Sequence, residues 1–297
     1  MLTWTTAGAV ERPTRVQIRV QRAYPGRVRA GAPVPTRSMT EAEIRDNLRF
    51  FTEGLSGPRS KPCRVLVLSG VGVAARPDTP EVLEAARGLG LRHVTLHVGV
   101  EDLEGLDVGR LAGVVDTLVV PVQPGPTGAV RLGAMALRAC RDAGIDVVAN
   151  TVLSENALPS LQPAARAIAR AGPRSATFTY PFPISGNTSS EVPRIAAVIA
   201  ALGPAVGELE RGGVSVTIKG LPACYLGEMS RLCTRSANRW YVDADHQRED
   251  AILFFPGVVR FHKGEACRFC SLDSACDGFF ATYLRRPGFP ALSPVAQ

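Results

Sequence analysis

The chain has 297 residues, 45% of them hydrophobic and 21% charged, with a formal net charge of +7. That balance belongs to a globular protein with a full core, in one large domain or two small ones. No apolar run reaches the roughly 18–20 residues a membrane span needs, and the stretch from Met1 to Arg12 lacks the apolar segment of a secretory signal, so the chain reads as soluble and cytoplasmic.

Val16–Val20 alternates like a strand, and Thr40-Glu-Ala-Glu43 is a capping box that predicts a helix to about Leu55. Val65–Ser69 reads as a buried strand, Pro80–Leu89 as a helix stopped by Gly90, and His93–Val98 as the next strand. A short helix near Val108–Leu111 precedes a strand at Thr117–Val122, a helix at Val130–Ala143 and a strand at Asp146–Thr151. A helix at Pro159–Ala171, a strand at Ala176–Tyr180, a helix at Pro193–Leu202 and a strand at Val214–Ile218 complete the pattern. Strand and helix thus alternate about six times, which builds parallel sheet through right-handed crossovers. An open or closed barrel and a doubly wound sheet both fit. After Gly220 the periodicity breaks, and the loop-rich remainder holds five of the seven cysteines.

Cys267, Cys270 and Cys276 form a C-x2-C-x5-C run, with Cys224 and Cys233 upstream. Clustered thiols in a reducing compartment bind metal more often than they form disulfides. Thiolates are soft ligands, and four of them suit a 4Fe–4S cluster or zinc. Cys63 and Cys140 stand apart and read as buried small hydrophobes.

Other residues offer weaker signals. His93, Thr95 and His97 share a strand face. Asn150 ends a predicted strand, where βα-barrel sites are built, and either binds a ligand or caps the next turn. Gly186-Asn-Thr188 lies on the same rim by this count. The arginines are spread along the chain, with no Lys/Arg tract and no aromatic platform, so there is no nucleic-acid signature. The charge is compatible with a surface for an acidic peptide.

Three stretches together resemble the radical S-adenosylmethionine (radical SAM) superfamily. Leu66-Val-Leu-Ser-Gly70-Val-Gly72 with Arg76-Pro-Asp78 is similar to the second strand and glycine-rich loop of that family. Gly144–Leu153 and Ala176–Pro183 are similar to its later barrel strands, and Cys267/Cys270/Cys276-x-Gly278 with Tyr283 resembles its auxiliary-cluster tails. The resemblance implies an α/β fold, a partial (β/α)6 TIM-like barrel over 1–220 with a Cys-rich, metal-bearing extension over 221–297. It implies that Cys224, in its Leu-Pro-Ala lead-in, rather than Cys233, joins Cys267, Cys270 and Cys276 as a metal ligand. Gly70, Gly72 and Asn150 become the cofactor-binding candidates.

The chain departs from the family where its chemistry resides. The family's C-x3-C-x2-C motif follows the first strand, and the matching positions here are Ala23, Arg27 and Ala30. The glycine loop places Val71, Gly72 and Val73 where the family has Gly, Glu and Pro. Gly72 has no carboxylate to hold the ammonium of S-adenosylmethionine. Arg22 and Arg27 would occupy the emptied pocket, paired with carboxylates or binding an anion. The expectation is therefore more a pseudoenzyme than an active enzyme, keeping one 4Fe–4S cluster (or zinc) and not cleaving S-adenosylmethionine. Such a protein would hold a peptide substrate or an active radical SAM paralogue. The alternative expectation is an Fe–S oxidoreductase that uses the tail cluster for electron transfer.

Overall fold

The computed structural model describes residues 2–5, 8–21, 37–53, 61–125, 128–182, 192–256, 261–285 and 289–295. A hairpin opens the chain, β1 (Leu2–Thr5) antiparallel to β2 (Gly8–Glu11). The βα repeat then runs β3 (Arg15–Arg19), α1 (Glu41–Glu53), β4 (Val65–Ser69), α2 (Thr79–Gly88), β5 (His93–His97), α3 (Val108–Leu111) and β6 (Thr117–Pro121). It continues through α4 (Ala129–Asp142), β7 (Asp146–Val152), α5 (Leu161–Ala171), β8 (Ser175–Thr179), α6 (Ile195–Arg211) and β9 (Ser215–Lys219). After it come β10 (Arg239–Val242), β11 (Ile252–Phe254), β12 (Phe261–His262), β13 (Phe279–Phe280) and α7 (Ala281–Leu284).

The result is the predicted α/β architecture, a partial (β/α)6 TIM-like barrel built on a nine-stranded sheet. Two compact units divide the chain. In the first, spanning Met1–Val120, Ala139–Val147 and Ala237–Phe255, the strand order is β11-β10-β3-β4-β5-β6. All neighbours there are parallel except β11, which pairs antiparallel to β10 at the edge. In the second, spanning Pro121–Arg138, Val148–Ser236 and Pro256–Gln297, β7, β8 and β9 are parallel in that order.

Alternation along each strand sets the two faces of the sheet. On β3, Val16 and Ile18 are fully buried toward the helices, while Arg15, Gln17 and Arg19 face the other way and are half-buried. β5 repeats this with Val94 and Leu96 buried against His93, Thr95 and His97. β8 does so with Ala176 and Phe178 buried against Ser175, Thr177 and Thr179. One face is thus an apolar core and the opposite face is polar.

The capping box forms as read. The Glu43 N–H donates to Thr40 Oγ1 at 3.2 Å, and the Thr40 N–H donates to Glu43 Oε2 at 2.8 Å. Arg37 and Gln247 also donate to Glu43, which ties the start of α1 to the turn after β10.

Several elements differ from the expectation. α6 was expected to stop before Gly203-Pro204, yet it runs on to Arg211 with Pro204 inside it. Ala205, Val206 and Leu209 continue the buried stripe of Val198 and Leu202, and their packing outweighs the hydrogen bond that proline removes. The β1–β2 hairpin was not read. Nor were β10 and β11, whose few residues alternate too briefly inside a polar region to register as strands. No helix among the described residues is long and apolar enough to cross a membrane.

The hydrogen bond from the Thr40 N–H dominates the forces holding the Glu43 carboxyl down to about 2. A folded-state value below the ordinary 4.5 means that Glu43 stabilises the protein fully above that range, and that this contribution fades as pH falls toward 2. Glu43→Gln, which removes the titrating carboxylate, is expected to cost about 1 kcal/mol in urea unfolding at pH 7. The gap from wild type should shrink as pH falls from 4.5 toward 2.

Candidate metal centre

The site begins where β9 ends. Gly220, Leu221 and Pro222 lead into a single 3-10 turn, Ala223–Tyr225, which carries Cys224. A second turn, Gly227–Leu232, delivers Cys233 back against the sheet, where it forms an isolated parallel bridge with Ile218. Further on, β12 and β13 pair antiparallel, Phe261 with Phe280 and His262 with Phe279. Between them hangs a loop made of two 3-10 turns, Glu265–Phe269 and Asp273–Ala275, and this loop holds Cys267, Cys270 and Cys276.

Two devices close the loop. Lys263 Nζ donates to the Asp273 carbonyl at 2.6 Å and pairs with its carboxylate at 2.7 Å. Gly278, at φ +86°, lies so close to His262 that an added Cβ would sit 2.1 Å from the His262 carbonyl oxygen. Beneath the loop lies a layer of rings. Phe279, Phe280 and Tyr283 are each 0% exposed, and Tyr180, Tyr225 and Phe289 pack edge-on or tilted against them. Tyr283 Oη donates to the Pro181 carbonyl and Tyr180 Oη to the Pro193 carbonyl, so the buried hydroxyls are satisfied. Each buried ring contributes about 1.5–3 kcal/mol. The Lys263–Asp273 pair, with side chains 31% and 47% exposed, contributes at most about 1 kcal/mol. The aromatic layer therefore anchors the tail, and the ion pair only shapes it.

Cys224, Cys267, Cys270 and Cys276 line one small cavity, together with Lys263, Asp273, Leu292 and Ser293. Backbone N–H groups point at its sulfurs. Gly278 and Ala223 donate to Cys276 Sγ at 3.2 and 3.5 Å, and Val295 donates to Cys270 Sγ at 3.3 Å. Ser271 Oγ donates back to the Val295 carbonyl, which straps the segment around 292–295 over the cysteines. All seven cysteines are free thiols. Cys233 lies behind the cavity, donating to the Leu221 carbonyl at 3.5 Å. It also donates to Cys276, which with the two N–H groups draws Cys276 down to about 6 and, reinforced by burial, raises Cys233. Burial raises Cys224, Cys63 and Cys140. Among the described residues, no three His, Cys, Asp or Glu side chains lie close enough together to hold a single metal ion.

None of the other sequence candidates is among the residues that line this cavity. Gly70, at φ +138°, leaves β4 pressed against β3. An added Cβ there would meet the Val20 side chain at 2.7 Å and the Gln21 nitrogen at 2.8 Å. Gly72 has open space around its Cα, and Val73 next to it is fully buried. Arg76 pairs with Asp78 at 2.5 Å and donates to Ser38 Oγ and the Met39 carbonyl, so this run holds the loop against the start of α1. Asn150 lies inside β7 rather than at its end, and its Oδ1 accepts from Thr179 Oγ1 at 3.1 Å. His93 and His97 do not meet: His93 turns to Thr117 Oγ1 and Asp116, four strand residues away from His97. Arg22, Ala23, Arg27, Ala30 and Gly186–Thr188 lie outside the described residues.

Three features were missed in the sequence: the Lys263–Asp273 closure, the ring layer and the strap at 292–295. The dense aromatics between Phe279 and Phe289 were the available signal for the second.

No protein-family model and no curated protein matches the sequence. Solved structures do match the fold. Streptococcus suis SuiB bound to S-adenosylmethionine aligns with a TM-score of 0.59 at 10% identity, over 93% of this chain and 75% of that one. SuiB bound to precursor peptide SuiA aligns at 0.61 and 10% identity, over 93% and 74%. Native anSMEcpe with bound AdoMet aligns at 0.57 and 12% identity, over 90% and 88%. At this level of identity the likeness establishes a shared fold.

Gly278→Ala should lower stability by at least about 2 kcal/mol, because the left-handed backbone and the His262 carbonyl both oppose a Cβ. Gly72→Ala meets only the backbone term. Thermal melts of the two variants check the ranking.

Proposed function

We propose that the chain is a radical-SAM-like iron–sulfur protein that holds one 4Fe–4S cluster on Cys224, Cys267, Cys270 and Cys276 and does not cleave S-adenosylmethionine. Its role is to bind a peptide substrate or an active radical SAM paralogue. The observation that carries the cluster is the meeting of these four thiols at one cavity, with N–H donors aimed at two of the sulfurs. Such bonds stabilise thiolates and tune a cluster held by them. A zinc ion would need its thiolates within about 2.3 Å of one point.

When bound, the cluster would supply a one-electron centre and a staple for the extension over 221–297. The chain's own groups hold its surroundings. The Gly278, Ala223 and Val295 N–H groups orient the sulfurs, Lys263 fixes the ligand loop, and the ring layer below keeps water out.

The loss of cleavage rests on the sequence: no cysteine precedes Cys63, and Gly72 and Val73 stand where the family's loop carries Glu and Pro. The peptide reading is supported by the shared fold with SuiB, a structure of which carries precursor peptide SuiA.

Incubation with S-adenosylmethionine and a strong reductant is expected to yield no 5′-deoxyadenosine or methionine above controls. Product above controls would contradict the silent reading. Cys267→Ala should lose the bound metal and melt at a lower temperature, whereas unchanged metal content and stability would remove Cys267 from the ligand set.

A further inference from the structure

On the polar face of the sheet, Arg19, Ser69 and His97 stand side by side, in register at the C-terminal ends of β3, β4 and β5. Neighbouring strands are about 4.8 Å apart, so the three side chains border one small patch. Parallel-strand folds place their ligands at this end of the sheet. We propose that this patch binds a small oxyanion, a carboxylate or a phosphate group, with Arg19 as its main partner and the Ser69 hydroxyl beside it.

The state of Arg19 carries the argument. Among the described residues it has no hydrogen-bond or ion-pair partner, and its Nε is both shut away from water and unsatisfied. A guanidinium is a rigid planar donor suited to two-point contact with a carboxylate or phosphate, and a buried charged donor left alone is costly. No acidic side chain occupies this face of β3, β4 or β5, and Arg15 and, on β10, Arg239 add positive charge to it, while the buried Asp243 that follows β10 accepts from the Asp245 and His246 N–H groups and from the His246 ring. Burial, followed by the charge of Arg15, pulls Arg239 down to about 10.

Ser69 is prepared for a ligand. Arg239 Nε donates to Gln17 Oε1 at 2.5 Å, and Gln17 Nε2 donates to Ser69 Oγ at 3.4 Å. That chain leaves the Ser69 hydroxyl as a donor. Its protein acceptor, the Ile18 carbonyl, lies 3.4 Å away, a long bond that a ligand oxygen can replace. His97, which has a partner of its own, borders the patch.

This site is independent of the cysteine cavity, and the test separates the two. Full-length protein with its metal retained is titrated calorimetrically with inorganic phosphate and, separately, with malonate, at ionic strength held constant with sodium chloride. The expected result is saturable one-to-one binding of one or both probes. The stronger probe tells a phosphate site from a carboxylate site. Arg19→Met should weaken that binding at least about tenfold, the effect of losing one charge-assisted contact. Ser69→Ala should weaken it severalfold, and Arg15→Met, at the far end of β3, should leave it unchanged. Absence of saturable binding of both probes to the wild type would overturn the proposal, as would undiminished affinity in a folded Arg19→Met or Ser69→Ala. Metal content measured on the same samples reports on the cluster alone.

Discussion

Two residues of β12 and two of β13 hold a loop of sixteen positions between them, and the candidate metal centre depends on that pairing. Phe261 and His262 meet Phe280 and Phe279 in register, and the close approach of Gly278 to His262 draws the loop shut. Three cysteines of the C-x2-C-x5-C run are thereby brought to one side, where the turn after β9 presents Cys224 to the same cavity. A strand pair this short cannot hold itself in water. It persists because Phe279 and Phe280 are completely buried in a ring layer that reaches back to Tyr180, the residue following β8. The second unit's core thus supports its own cysteine loop through aromatic burial rather than through charge.

Much of the fold was legible in the sequence, because the βα repeat writes two periodicities that do not compete. Val65–Ser69 and Val108–Leu111 match the structure to the residue. The other repeat elements shift mostly by one or two positions, where a terminal hydrogen bond rather than a side chain decides the boundary. The continuation of α6 through Pro204 was hidden because a Gly-Pro pair is a strong local stop, and the buried face that overrides it is a tertiary fact. β10 was hidden for the opposite reason. Its alternation of Arg239 and Tyr241 against Trp240 and Val242 is clear once its pairing with β3 is known, but four residues in a polar stretch carry little signal.

The candidate site was legible as a list of candidate cysteines but not as a place. Spacing named Cys267, Cys270 and Cys276, and a short Leu-Pro lead-in distinguished Cys224 from Cys233. The structure places Cys224 on the cavity and Cys233 behind it, donating to Cys276. Spacing could not show the N–H donors from Ala223, Gly278 and Val295, since those depend on how four separate turns converge. The glycine loop teaches the converse. Gly70 was read as a binding residue, and the structure gives it a sufficient structural reason to be glycine, the contact with Val20 and Gln21.

The cysteine cavity and the proposed oxyanion patch belong to different units, the first built on turns and a loop and the second on a strand face. The central claim concerns the cysteines, and metal analysis tests it most directly. Iron, acid-labile sulfide and zinc are measured on anaerobically purified protein alongside its visible absorption spectrum. The account predicts about four irons and four sulfides per chain. About one zinc without sulfide would contradict the cluster and leave a structural zinc site, and the absence of all three would contradict the metal centre itself.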